Sequence, residues 1–120
     1  MLRSMSILLA LAILAPATAR AQDDVFVPSD LRRTRHALEA RIGPAGGSVA
    51  YVLAVPRDPF TEDDGPAWRE LHVSDGEGRA RGFVTGDVSV SRIAWTPDGR
   101  RIAFLAKRDG DEERALYAIR

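Results

Sequence analysis

The stretch "AWTPDGRRIAF", residues 94–104, decides how this chain folds. Pro97 presets the backbone for the first central position of a tight turn, Asp98 tolerates the second, and Gly99 adopts the left-handed conformation easily. Apolar residues recur on both sides of the turn with the alternation of a strand that has one buried face. The stretch therefore predicts two antiparallel strands folded back on one turn.

Length, charge and cysteine content narrow the class of protein. The chain has 120 residues, which is enough for one domain or part of one. Seventeen basic and seventeen acidic residues give a net charge of zero, so charge gives no support for a nucleic-acid partner. The sequence contains no Cys, which excludes disulfides and cysteine-ligated metals.

The first 21 residues are predicted to be a signal peptide. Arg3 gives a positively charged n-region, and "ILLALAILA" (7–15) is an apolar core of the length found in signal peptides. The small residues Ala19 and Ala21 mark a cleavage site. The apolar run is too short for a stable membrane span. We therefore expect an exported protein, periplasmic or secreted, of bacterial type; a retained N-terminal anchor is the alternative.

Residues 22–47 are predicted to form a leader with a short helix and a turn. Ser29 or Asp30 can cap a helix whose spacing of apolar residues extends over 29–42. The "GPAGG" segment (43–47) contains three Gly and one Pro, which end regular structure. We expect the sheet to begin after this turn.

From residue 48 onward the pattern is typical of strands, which predicts an all-β fold. The segment 56–68 is polar and contains three prolines, so it is predicted to be a loop. The segment "DGEGR" (75–79) predicts a hairpin turn, because Asp-Gly supplies the positive backbone angles that such turns need. Six antiparallel strands are predicted, over residues 48–55, 69–74, 80–86, 88–95, 100–106 and 115–119.

The sequence also partly repeats itself. A shift of 53 residues pairs Pro44 with Pro97, Gly46 with Gly99, and "VAY" (49–51) with "IAF" (102–104). Further along the offset falls to 45, where Leu71 meets Leu116, and the longer loop at 56–68 accounts for the difference of eight. A unit of about 45 residues with about four strands is the size of one propeller blade.

Residues 92–119, "RIAWTPDGRRIAFLAKRDGDEERALYAI", resemble the propeller repeat with the core W-S-P-D-G-K-x-I-A-F, with Thr96 at the usual Ser. That repeat occurs in the periplasmic propeller of the Tol system and in the N-terminal propellers of the prolyl oligopeptidase family of serine peptidases. Together with the exported leader, residues 28–86 resemble the start of bacterial acylaminoacyl- or dipeptidyl-peptidase-like members, although "GPAGG" departs from the usual S-P-D-G.

The resemblance implies an incomplete β-propeller over residues 48–120. It has one to two four-stranded antiparallel blades, the first at about 48–86 and the second beginning at about 88. In such a fold Trp95 and Phe104 would pack between blades. The same fold would place Ile102 and Leu105 on the buried strand, with Arg100 and Arg101 facing solvent.

The resemblance also implies a function. A propeller closes with about four to eight blades, so the chain is expected to be an N-terminal fragment of an exported serine peptidase that acts on short peptides. Its partners would be the α/β-hydrolase domain of the parent, which carries the catalytic Ser, Asp and His, and the parent's peptide substrate. Two alternatives stay open: a non-enzymatic periplasmic propeller similar to the Tol-system protein, and a complete small exported β-protein that oligomerises through open strand edges.

No residue of this chain is predicted to be catalytic, and no cofactor or metal site is predicted. Ser48 in "GGSVA" (46–50) lacks the final Gly of G-x-S-x-G and leads into a strand, so it is interpreted as a turn residue. His36, on the predicted helix, and His72, on the outward side of a strand, are interpreted as surface histidines. The sequence shows no partner nucleophile for either.

Three charged clusters complete the candidates. Arg32, Arg33 and Arg35 are interpreted as a solvated helix face, with a polyanion or lipid headgroup contact as the alternative. The acidic segments "TEDDG" (61–65) and "DGDEE" (109–113) lack the spacing of an EF-hand loop. We interpret both as solvated charge, with calcium binding as the alternative.

Overall fold

The structure, a computed structural model, describes residues 25–108 and 110–120. The predicted signal peptide, residues 1–21, lies outside the described residues. The regular secondary structure of the described part is almost all β-strand, which confirms the all-β prediction. Its elements are α1 (Pro28–Leu31), β1 (His36–Ile42), β2 (Val49–Val55), β3 (Trp68–Ser74), β4 (Ala80–Val84), β5 (Val88–Trp95), β6 (Ile102–Arg108) and β7 (Ala115–Ile119).

The strands form two consecutive antiparallel meanders. Strands β1 to β4 pair in chain order and are called the first unit. Strands β5 to β7 also pair in chain order and are called the second unit. A short parallel pairing between β3 and β5, at Arg69 and Ser89, joins the two units into one sheet.

The predicted helix over 29–42 is wrong beyond Leu31. Residues His36–Ile42 form β1 instead, which pairs along its length with β2. Helix spacing and capping signals are weak preferences, and here β1 pairs with the edge of β2, whose backbone groups would otherwise stay unpaired. The sheet therefore begins at His36, and a boundary at residue 48 would cut through the first hairpin.

The internal repeat is confirmed by the turns between paired strands. In the first unit the Gly43 N–H donates to the Ser48 carbonyl at 2.7 Å. The residues 53 positions later make the same bond, since the Thr96 N–H donates to the Arg101 carbonyl at 2.9 Å. The same shift carries β2 (Val49–Val55) onto β6 (Ile102–Arg108) without change of length. Sequence repeat and structural repeat therefore coincide over this hairpin.

Glycines with positive φ define three of the turns. Gly99 has φ 68°, as the turn motif predicts, and Gly46 at the equivalent position has φ 77°. In the 75–79 turn the prediction placed the positive angle at the Asp-Gly pair, but it occurs at Gly78, with φ 81°. The Asp75 Oδ1 accepts the backbone N–H groups of Glu77 and Arg79. These two bonds stabilise a longer turn, in which the positive φ occurs at Gly78.

The second part of the repeat is confirmed by strand register. Tyr51 lies opposite His72 in the first unit, and Phe104 lies opposite Tyr117 in the second. Each pair is stacked, with ring centroids 5.6 Å apart in the first and 5.7 Å in the second. The offset between the two pairs is 53 residues on one strand and 45 on the next. The eight extra residues of the first unit thus lie in the β2–β3 loop, as predicted.

Because side chains alternate along a strand, each unit has two faces, which we call face A and face B. In the first unit, face A carries Ala50, Val52, Ala54 and Leu71, and face B carries Ile42, Val49, Tyr51, Leu53 and His72. Under the repeat, face A of the second unit carries Ala103, Leu105, Lys107 and Leu116, and face B carries Val90, Ile93, Trp95, Ile102, Phe104, Ala106 and Tyr117.

The core lies between the two units. Face A of the first unit and face B of the second supply its buried residues, which are Ala50, Val52, Leu71, Val88, Val90, Ile93, Ile102, Phe104 and Ala106. The prediction that Trp95 and Phe104 pack between the repeats is confirmed. Ile102 and Leu105 both lie on β6, as predicted, and Leu105, which follows Phe104 on that strand, points to the face opposite the core. Ile102 is buried and Arg100 is exposed, as expected.

Two hydrogen bonds tie the units together at the rim of this core. The Trp95 indole N–H donates to the Arg41 carbonyl at 3.0 Å. The Arg92 backbone N–H donates to the Glu39 carboxylate at 3.0 Å, at a bulge where Arg92 has φ 52°. A non-glycine residue rarely adopts this angle. The bond to Glu39 therefore stabilises the bulge, at which β5 stays in contact with the first unit.

Candidate functional site

A cleft of about 500 Å³ lies at one end of the sheet, where the β2–β3 loop, the start of β5 and the β6–β7 loop meet. It brings together residues that are far apart in the sequence and that sequence analysis did not connect. Among the described lining residues, Asp111 is the acidic side chain. The basic side chains that line the cleft are Arg57, Arg69, Lys107, Arg108 and Arg114.

Arg57 and Trp68 form the fixed wall of the cleft. The Arg57 guanidinium carbon lies 3.8 Å from the centroid of the Trp68 ring, within the range of a cation–π contact. The Arg57 Nε donates to the Pro66 carbonyl at 2.9 Å. The Arg57 Nη1 donates to the Asp63 carbonyl at 3.3 Å. These contacts fold the proline-containing loop back onto β3 and hold one cation at the mouth of the cleft.

Glu62 also stabilises the β2–β3 loop, through hydrogen bonds to Asp58 and Trp68. Its carboxylate accepts the Trp68 indole N–H at 2.6 Å and the Asp58 backbone N–H at 2.6 Å. The backbone hydrogen bond from Asp58, and after it the bond from Trp68, lower the pKa of Glu62 below its ordinary value. Both bonds need the charged carboxylate as acceptor. "TEDDG" (61–65) is thus part of a structured loop at Glu62.

We expect the Trp68 indole N–H to report the protonation of Glu62. Because the pKa of Glu62 is lowered from 4.5, the bond stabilises the loop above pH 4.5 and is lost as the pH falls through the lower folded-state value. The Trp68 indole resonance should hold its shift from neutral pH to about pH 4.5 and move only below it. NMR titration measures this.

The Glu62→Gln variant should abolish that titration and leave the resonance at its low-pH position throughout. The neighbouring Asp63→Asn variant is the matched control, because the Asp63 backbone carbonyl, and not its side chain, accepts the bond from Arg57. A Trp68 titration that survived in Glu62→Gln would show that another group controls the loop.

Glu70 and His72 form a side-chain pair outside the cleft, which sequence analysis did not connect. The His72 Nε2 lies 2.8 Å from the Glu70 Oε2, and the Glu70 Oε1 accepts the Gly86 N–H at 3.1 Å. His72 lies on face B, the side of β3 away from the core, as expected for an outward-facing position, and it is half-buried there by its stacking on Tyr51. The spacing Glu-x-His on a strand places both side chains on one face, a signal that could have predicted the pair.

The other candidate residues are not brought together. His36 is exposed and lies on β1 opposite Ala54, not on a helix. Ser48 precedes β2, where its carbonyl closes the turn, which confirms its prediction as a turn residue. In the described residues, the His72 side chain bonds to Glu70 and to no hydroxyl group. Within the described residues, the arrangement therefore offers a histidine with an orienting carboxylate and no hydrogen-bonded nucleophile.

The charged clusters lie on loops and at the α1 end. Arg32 is exposed in the turn that follows α1, and its guanidinium lies 3.6 Å from the Asp58 carboxylate. Of the acidic segment 109–113, position 109 lies outside the described residues. Within the described ranges, no group of three His, Asp or Glu side chains is placed to hold a metal ion. Over residues 25–108 and 110–120, no helix has the length and apolar character needed to cross a membrane.

No protein-family model matches this chain, and no curated protein matches it either.

The residues that line the cleft indicate what it can bind. Basic side chains from two loops and two strands line a cavity, and one of them is fixed over an aromatic ring. Such a site is suited to a carboxylate or another anionic group.

Proposed function

We propose that this chain is the N-terminal propeller portion of an exported serine peptidase of the prolyl oligopeptidase family. One observation supports the proposal above the others. The hairpin that carries the "WTPDG" turn recurs 53 residues earlier with the same turn hydrogen bond, the same strand length and the same stacked cross-strand pair. Consecutive antiparallel units that pack face to face are what a propeller is built from.

The packing of the two units supports the same proposal. Face A of the first unit covers face B of the second, so unlike faces meet. Repeats related by rotation about a common axis must pack in this way, because every unit presents the same side to the unit that follows it. The first unit has four strands, the number in a propeller blade.

In the proposed parent, the catalytic Ser, Asp and His belong to an α/β-hydrolase domain, and the propeller restricts access of long peptides to it. This chain would contribute shape and selection, with no part in acyl transfer. Its only histidine–carboxylate pair, His72 with Glu70, bonds to no hydroxyl group in the described residues. We therefore expect the parent to cleave short peptides and this chain alone to cleave none.

Expression of the whole reading frame that begins at Met1, beside the 120-residue chain, tests this. A fluorophosphonate probe labels activated serines, and we expect it to label the product of the frame at a G-x-S-x-G serine and to leave this chain unlabelled. The product should also release p-nitroaniline from dipeptide substrates. A frame that encodes no such serine, or labelling of this chain, would overturn the proposal.

A non-enzymatic periplasmic module that binds a protein partner, similar to the Tol-system propeller, is the second candidate. The cation-rich cleft supports it, because it is suited to an acidic segment of a partner. The same experiment separates the two candidates. A reading frame that encodes further repeats and no catalytic serine, together with a product that captures an acidic peptide and loses it when Arg57 and Arg69 become Ala, would favour the binding module.

A further inference from the structure

The two units differ sharply in how far equivalent residues are buried. Leu71 on β3 is 0% exposed, whereas Leu116, its counterpart on β7, is 73% exposed. Both side chains lie on face A of their unit. In the described part of the chain, face A is thus covered in the first unit and open in the second.

Face B shows the opposite difference. Trp95 in the second unit is half-buried and packs against the core, whereas Ile42, its counterpart in the first unit, is 69% exposed. Phe104 is buried in the second unit, and Tyr51 at the same position of the first is only half-buried. The two open faces are therefore unlike: face B of the first unit and face A of the second.

The core inside the chain also forms between one face A and one face B, those of the first and second unit. We infer that the chain associates with a second copy of itself head to tail, with face A of the second unit in one copy packed on face B of the first unit in the next. The inference continues an interface already present between the units. It concerns the 120-residue chain; in the proposed parent, a following repeat would occupy face A of the second unit in place of the second copy.

The chemistry of the open faces fits this occupant. Face A of the second unit presents Leu105 and Leu116 flanked by alanines, the residue types that face A uses in the first unit, and it carries Lys107 where the first unit has Ala54. Face B of the first unit presents Ile42, Tyr51 and Leu53. The contact between copies would lack the Trp95 indole bond to Arg41, because Ile42 has no donor. The association should therefore be weaker than the contact inside the chain.

Head-to-tail packing uses two different surfaces, which makes it testable by mixing. The experiment uses the full chain, expressed with its own amino terminus, and sedimentation velocity over a hundredfold range of concentration. We expect the mass to rise with concentration. Leu116→Glu, which blocks face A, and Ile42→Glu, which blocks face B, should each remain monomeric. Circular dichroism should show both variants folded, since both side chains are exposed.

The mixture of the two variants is the decisive sample. Each still has one good face, so Leu116→Glu and Ile42→Glu together should form a one-to-one dimer and nothing larger. Phe60→Glu is the matched control, because Phe60 is 80% exposed and lies in the β2–β3 loop, off both faces; it should associate like the unchanged chain. A monomeric unchanged chain, monomers in the mixture, or variants that still self-associate through strand edges would each overturn the inference.

Discussion

Replacing Leu71 with Ala is expected to lower the free energy of unfolding by about 2–5 kcal/mol, the range for a buried Leu whose cavity cannot fully collapse. Leu71 is fully buried and lies in the core between the two units. Its neighbours belong to both units, so the cavity would weaken their attachment as well as β3 itself. Urea unfolding followed by circular dichroism measures the loss. Leu71→Val is the milder variant if Leu71→Ala does not fold.

The repeat provides the control for this experiment. Leu116→Ala removes the same atoms from the same repeat position, but Leu116 is 73% exposed. Its effect should stay within about 0.5 kcal/mol, as for most exposed sites, at concentrations where sedimentation shows monomers. Equal losses for the two variants would contradict the placement of face A of the first unit in the core.

Replacing Phe104 with Ala should cost about 3–5 kcal/mol of unfolding free energy, the range for a buried aromatic side chain. Phe104 is 3% exposed, stacks on Tyr117 and packs against face A of the first unit. The variant therefore loses contacts within its own unit and across the core. Because small domains have total stabilities of about 5–15 kcal/mol, a large shift of the urea midpoint is expected.

Tyr51→Ala is the matched control on face B. Tyr51 stacks on His72 in the same geometry, but the structure covers it only partly. We expect a loss of about 1 kcal/mol, near the average for single substitutions. The difference between the two variants mainly reflects the contact between units, because each ring makes a stacked pair of similar geometry within its own unit. A Tyr51→Ala loss as large as that of Phe104→Ala would show that face B of the first unit is also covered.

Much of the sheet follows from the sequence. The six predicted strands occur within two residues of their predicted bounds, because alternation and Gly-containing turns are local signals. Strand β1 does not follow from local signals. Its sequence "HALEARI" carries charged residues at alternate positions and follows a good helix cap. The internal repeat does indicate a strand here, because a shift of 53 residues carries 36–42 onto 89–95, a segment that was predicted to be a strand.

The candidate site was less predictable than the sheet. The cleft joins Arg57 and Arg69 with Arg108 and Arg114, and only the three-dimensional pairing of the strands brings these segments together. Burial had the same limit. Nothing in the residues themselves distinguishes Leu71 from Leu116, because burial depends on whether another unit lies over the face. The second unit buries the opposite face from the first, so Leu105 points away from the core although its counterpart Val52 is buried.

Lys107 has a practical consequence for studying this protein. It is the chain's sole lysine, and the sequence has no cysteine. Its side chain is exposed on face A of the second unit. An amine-reactive fluorophore can therefore couple only at Lys107 and at the terminal amine, and one introduced cysteine can take a second dye without a competing thiol. The open face carries its own attachment point for energy-transfer measurements.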